Sequence, residues 1–174
     1  MGRSTGSPSE EKEREQETMK RMIRRCGILL LAVWLAMGPG AAGADGVEIT
    51  LPGGVHRLTI PEEMTWQAPA DDEENLKAIY LMPPDLDMMI FAYNLEGYTI
   101  RTLAETMVEA GRDAQVREIA GEEFLFYTDT DEADGAVGVI YGYMTGNRMT
   151  EITFFCGSQA AMDLTQVIME SFHS

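Results

Sequence analysis

From residue 46 onward, short strand-like runs, several of them alternating apolar and polar side chains with a period of two, are separated by turn-forming residues. The runs are Val47 to Leu51, Val55 to Ile60, Leu76 to Met82, Asp87 to Asn94, Gln115 to Ala120, Glu123 to Thr128, Ala136 to Thr145 and Arg148 to Cys156. That period sends successive side chains to opposite faces of an extended chain, so each run predicts a β-strand. Pro52-Gly53-Gly54 parts the first two runs, and Gly146-Asn147 stands between the last two as a tight hairpin turn requires. Two segments follow a helical period instead. Thr99 to Arg112 places Ile100, Leu103, Ala104, Met107 and Val108 on one face, and a second helix opens at Ser158 as N-cap with Ala161, Leu164, Ile168, Ser171 and Phe172 along one stripe.

Met88-Met89-Ile90-Phe91 is apolar on both faces, which predicts a central strand covered on each side. The order strands, helix, strands, helix, with short links, predicts an α+β fold: an antiparallel sheet of about 6–8 strands packed with two main helices. Cys156 continues the alternation of Ile152 and Phe154, so it is placed on the apolar face as a buried structural thiol. The methionines from Met64 to Met169 are read as core fillers, with an adaptable binding surface as the other reading. Trp66 follows Pro61 among polar residues; burial at the end of a strand is one reading, and an exposed anchor for a partner is the other.

Ahead of this region the pattern changes. Met19-Lys20-Arg21-Met22-Ile23-Arg24-Arg25 is followed by an apolar run from Cys26 to Met37, then Gly38-Pro39-Gly40 and small residues ending at Ala44. These are the n-, h- and c-regions of a secretory signal over 19–44, with cleavage between Ala44 and Asp45. The apolar run is short of the roughly 20 residues that span a bilayer. Cys26 stands at the front of the run, whereas a lipid-modified cysteine sits at its end, and the surroundings of Arg24-Arg25 match a twin-arginine signal poorly, so the general secretory route is favoured. Residues 1–18 fit neither signal nor domain and are read as a disordered extension or a misassigned start. Residues 45–174 are read as one exported domain.

Export sharpens the charge. The chain carries a formal −16, but seven of its 13 basic residues precede Asp45, leaving 6 against 24 acidic residues, or −18. A domain this acidic is repelled by phosphate backbones and anionic lipid, which excludes nucleic-acid binding and membrane-surface binding as expected functions. With Cys26 removed, Cys156 has no cysteine in the same chain to pair with.

A family likeness rests on an opening hairpin ending Ile60-Pro61 with Trp66 after it, a helix rich in Thr-Leu-Ala-Glu, and the Ile119-Ala120-Gly121-Glu122 turn before Phe124 to Tyr127. A strand pair and a closing helix ending Val167-Ile168-Met169-Glu170-Ser171-Phe172 complete it. In these features residues 46–173 resemble the PsbP/MOG-like superfamily, including its small exported bacterial members. The resemblance implies a sandwich of antiparallel sheet and helices. It also implies an accessory or binding role, since named members act in photosystem assembly or bind a small GTPase, and it carries over no catalytic residue.

The residues themselves offer little chemistry. Asp129, Asp131 and Asp134 in the loop Asp129 to Gly135 are the candidate metal ligands, because calcium takes several carboxylate oxygens. Counted as an EF-hand from Asp129, the loop has Ala133 at the fifth position, its glycine one residue late, and Ile140 in place of the closing glutamate, so a solvated turn is the favoured reading. Asp71-Asp72-Glu73-Glu74 is read as a second solvated loop. His56 and His173 lack metal-ligand spacing, and neither a phosphate-cradling glycine loop nor a nucleophile elbow is present. The expectation is a secreted, non-enzymatic accessory domain without cofactor, binding another protein at or outside the cell surface. Next comes a small-ligand or calcium module using a pocket at the sheet edge or the acidic loop; a hydrolase of unrecognised type is third.

Overall fold

The structure is a computed structural model that describes residues 46–70, 73–130 and 135–174. The expected signal segment, Cys26, Asp71, Asp72, Asp131 and Asp134 lie outside the described residues. Nine strands and two helices are formed among those described: β1 (Gly46–Thr50), β2 (Arg57–Pro61), β3 (Thr65–Gln67), β4 (Leu76–Met82), β5 (Leu86–Asn94), α1 (Ile100–Glu109), β6 (Ala114–Ile119), β7 (Glu122–Thr130), β8 (Val137–Thr145), β9 (Arg148–Cys156) and α2 (Gln159–Glu170).

All pairings are antiparallel. Seven strands form one sheet in the order β3-β4-β5-β9-β8-β7-β6, and β1 pairs β2 as a separate hairpin. The β8–β9 turn keeps Thr145 opposite Arg148, with Gly146 at φ 61° supplying the positive φ that a two-residue turn needs at its first central position. The β6–β7 turn is tighter in its demands, because both Ala120 (φ 52°) and Gly121 (φ 85°) are left-handed and Ile119 faces Glu122. Such a conformation suits glycine and costs alanine roughly 1–2 kcal/mol.

Alternation assigns the two faces of the sheet. One carries Leu86, Met88 and Ile90 of β5, Ile152, Phe154 and Cys156 of β9, and Val139, Tyr141 and Tyr143 of β8, packed with Ala161, Ile168 and Met169 of α2 and with Leu58 and Ile60 of β2. The opposite face packs Ala114, Leu125 and Met149 against Ile100 and Ala104 of α1. The end of the Met149 side chain occupies the space beside Gly142, 2.1 Å from where a Cβ would stand. Met88, Met89 and Ile90 are buried in an interior strand, as the doubly apolar run implies. Apart from Met89, which is buried outside both clusters, the methionines of the described region either belong to the two cores or pack on them.

Both helices begin as their polar residues dictate. Thr99 Oγ1 accepts from the Thr102 amide while Thr102 Oγ1 accepts from the Thr99 amide, a reciprocal cap. Ser158 caps α2 by accepting from the Ala161 amide. The chain end is tied down: the Arg57 amide donates to His173 O (2.8 Å), the His173 amide donates to Arg57 O (3.2 Å), and the Thr59 amide donates to Ser171 Oγ (2.8 Å). Phe172 thereby enters an aromatic group with His56, Phe124 and Tyr143. Two expectations change. α2 ends at Glu170, with Thr165 rather than Leu164 fully buried, and Val108 of α1 is 54% exposed, lining an open groove with Ala114 and Val116 of β6.

Candidate functional site

Among the described residues three places bring together side chains able to act: a polar node on the α1 face of the sheet, the free edge at β3, and a groove beside β6.

The node centres on Glu151. Its two neighbours in β9, Met149 and Thr153, share its face, and Phe91 and Gly142 stand opposite it on the flanking strands. Tyr93 Oη donates to Glu151 Oε2 (3.1 Å) and Thr153 Oγ1 donates to Oε1 (3.1 Å). Burial pushes the Glu151 carboxyl above the ordinary carboxylate range, and these two donors hold it back in part. The Tyr93 and Tyr127 phenols are driven far above the usual tyrosine value, first by burial and then by the Glu151 charge; Arg112, 5.7 Å from the Tyr127 ring centre, opposes the shift at Tyr127. Asp87 lies on the same face and is also raised by burial. It sits level with Phe155, four residues along β9 from Glu151, about 13 Å at ~3.3 Å per residue. Paired-carboxylate glycoside hydrolysis works at roughly 5–9.5 Å. The node holds protons and hydrogen bonds; it does not present a working carboxylate pair.

Of the candidate metal ligands, Asp129 Oδ2 is 3.2 Å from Arg112 Nη1, and the described residues contain no group of three or more His, Cys, Asp or Glu able to hold a metal ion. Cys156 is 2% exposed and its thiol is pushed up to about 11 by burial, which favours the neutral thiol over the thiolate at neutral pH. His56 is buried, stacked on Phe172 with ring centres 4.9 Å apart and edge-on to Tyr143 at 4.9 Å. His173 lies at the surface with Nε2 3.2 Å from Glu48.

Trp66 is in a strand and 58% exposed, so the reading that buries it at a strand end does not hold. Its strand is the outermost of the sheet, three residues long and paired only with β4, where Tyr80 faces Trp66. The approach bears Glu62 and Glu63 just before the strand and Glu73 and Glu74 before β4, all at least partly exposed.

At the other end of the sheet an open groove of about 450 Å³ runs between α1 and β6. Ala104, Val108, Ala114 and Val116 line it together with the charged Arg101, Glu105 and Glu109. The sequence reading allowed for a pocket at the sheet edge but named no residue for it, because its walls come from a helix and from the strand that ends the sheet.

No family model and no curated protein matches the sequence. Solved structures do match in fold. The solution structure of cyanobacterial PsbP (CyanoP) from Synechocystis sp. PCC 6803 superposes with a TM-score of 0.54 at 10% identity, covering 77% of this chain and 97% of that one. A crystal structure from Bacteroides thetaiotaomicron VPI-5482 gives 0.53 at 14% identity over 75% of this chain and 49% of that one. The chain therefore has a PsbP-like α+β fold, as its residue pattern suggested. No helix of the described residues is long and apolar enough to cross a membrane.

Proposed function

We propose that this chain is an exported, non-enzymatic accessory domain that binds another protein at or outside the cell surface. The observation that carries the reading is Trp66: a large aromatic side chain, 58% exposed, on the outermost strand of the sheet. Tryptophan is enriched among the residues that dominate binding energy. The non-enzymatic part is supported by the chemistry of the other candidates. Cys156 is buried with its thiol raised, Asp129 is engaged by Arg112, and Glu151 and Asp87 stand too far apart to work as a pair.

The test is capture. The purified protein, immobilised and crosslinked against the surface and secreted fractions of its native cell, should retain a partner saturably, in competition with free protein, and Trp66→Ala should release it. Retention of nothing beyond what an unrelated acidic protein retains would sink the reading. Export has its own check in the intact mass, which should place the N-terminus of the exported protein at Asp45.

A further inference from the structure

We infer that the groove between α1 and β6 is a second docking site, which takes an extended segment of a partner protein, added as a strand to β6, whose face toward α1 carries both apolar and basic side chains. The site lies at the opposite edge of the sheet from Trp66 and stands or falls separately from it.

The backbone argument comes first. β6 ends the sheet, pairs only with β7 among the described residues, and exposes four of its six residues. An edge of that length is a template for one more strand. Specificity comes from the side chains on the helix face. Register places Ala114, Val116 and Glu118 there, opposite Tyr127, Leu125 and Glu123. Above them α1 contributes Ala104 and Val108. Val108 and Val116 remain 54% and 39% exposed on the two walls of a groove large enough for apolar side chains. Valine is a poor choice for an exposed helical position, since its branched Cβ costs helix propensity. An occupant that buries it restores the balance.

Charge identifies the occupant. The nearby cations are already engaged: Arg101 with Glu123, Arg112 with Asp129, and Arg117 over the Phe126 ring at 3.3 Å. Glu105 acts on Arg101 only weakly beside Glu123, and Glu109 has no ion pair among the described residues. These two glutamates stand at i and i+4, where like charges destabilise a helix by a few tenths of a kcal/mol. The groove therefore presents uncompensated negative charge that lysine or arginine would meet. A second copy of this chain, with net charge −16, would bring acids against acids, and nucleic acid or anionic lipid would be repelled.

The test uses a synthetic peptide with valine and lysine in turn at every second position and threonine between them, with one carrying glutamate in place of lysine as control, titrated into the isotope-labelled protein and followed by NMR. The lysine peptide should shift amides of β6 and α1 and leave those around Trp66 unmoved. Its affinity should fall by about tenfold or more in Val108→Ser/Val116→Ser and at raised salt. Glu105→Lys/Glu109→Lys should reverse the preference in favour of the glutamate peptide. The inference is overturned by absence of binding, by equal binding of both peptides, by shifts located away from β6 and α1, or by a concentration-dependent dimer that pairs through β6.

Discussion

Phe172 stands two residues before the end of the chain, where substitution is ordinarily harmless because termini fray. Here it should be among the most costly sites. Its side chain is 3% exposed and meets His56 at 4.9 Å, Phe124 at 4.9 Å and Tyr143 at 5.5 Å between ring centres. Truncating a buried phenylalanine costs about 3–5 kcal/mol, from lost transfer free energy and the cavity left behind. Three aromatic contacts, each worth about 0.5–1.5 kcal/mol beyond area, place the value toward the top of that range. For a domain of this size 1 kcal/mol moves the melting temperature by roughly 3–4 °C, so Phe172→Ala should lower it by about 10–20 °C. The control is His173→Ala. That side chain is at the surface, and the two backbone bonds between residues 57 and 173 survive its removal, so the loss should stay within about 1 kcal/mol. Thermal melts by circular dichroism and urea titrations of both variants make the comparison. A Phe172→Ala loss under about 1 kcal/mol, or one equal to that of His173→Ala, would refute the claim that the chain end locks the β1–β2 hairpin onto the core.

Three further outcomes follow from single residues. Glu151→Gln should flatten the fall in stability with rising pH. Because burial raises the folded-state value of this carboxyl, the folded protein binds the extra proton, and stability is lost as pH climbs from the ordinary glutamate range through the raised one; urea midpoints across pH 4 to 8 for both proteins read this, and parallel curves would contradict it. Ala120→Gly should stabilise by up to about 1 kcal/mol by relieving a left-handed alanine, and a destabilised variant in the same titration would reject that account. Millimolar calcium should leave the melting temperature unchanged, given that Asp129 is engaged by Arg112, whereas a saturable rise of several degrees would return the acidic loop to consideration as a site.

Much of the fold was legible because it is local. Strand-like runs marked β4 and β9 to the residue, the Gly146-Asn147 pair fixed the last hairpin, and Thr99 and Ser158 announced the helix starts through hydroxyls that serve orphan amides. β3 was not seen, since three residues between acidic turns and Ala68-Pro69-Ala70 are too few to show a period. The site was less legible because it depends on order in space. That β6 ends the sheet, and that Val108 therefore overhangs open groove instead of core, follows from β9 inserting between β5 and β8, a pairing between distant parts of the chain. Glu151 did leave a signal: placing Ile152, Phe154 and Cys156 on one face puts a lone acid among apolar residues on the other, but its partner Tyr93 is 58 residues away.

The most direct test of the binding reading is the affinity of the captured partner for Trp66→Ala against the unaltered protein. With about 250 Å² of side-chain surface and 58% of it exposed, Trp66 offers about 145 Å² to a partner, a ceiling of about 3.6 kcal/mol at ~25 cal/mol/Å². Interfaces return only part of such a ceiling, so the account predicts a loss near 2 kcal/mol, or about 30-fold in Kd, with the melting temperature held within about 3 °C. Equal affinity of the two proteins for the partner would contradict it.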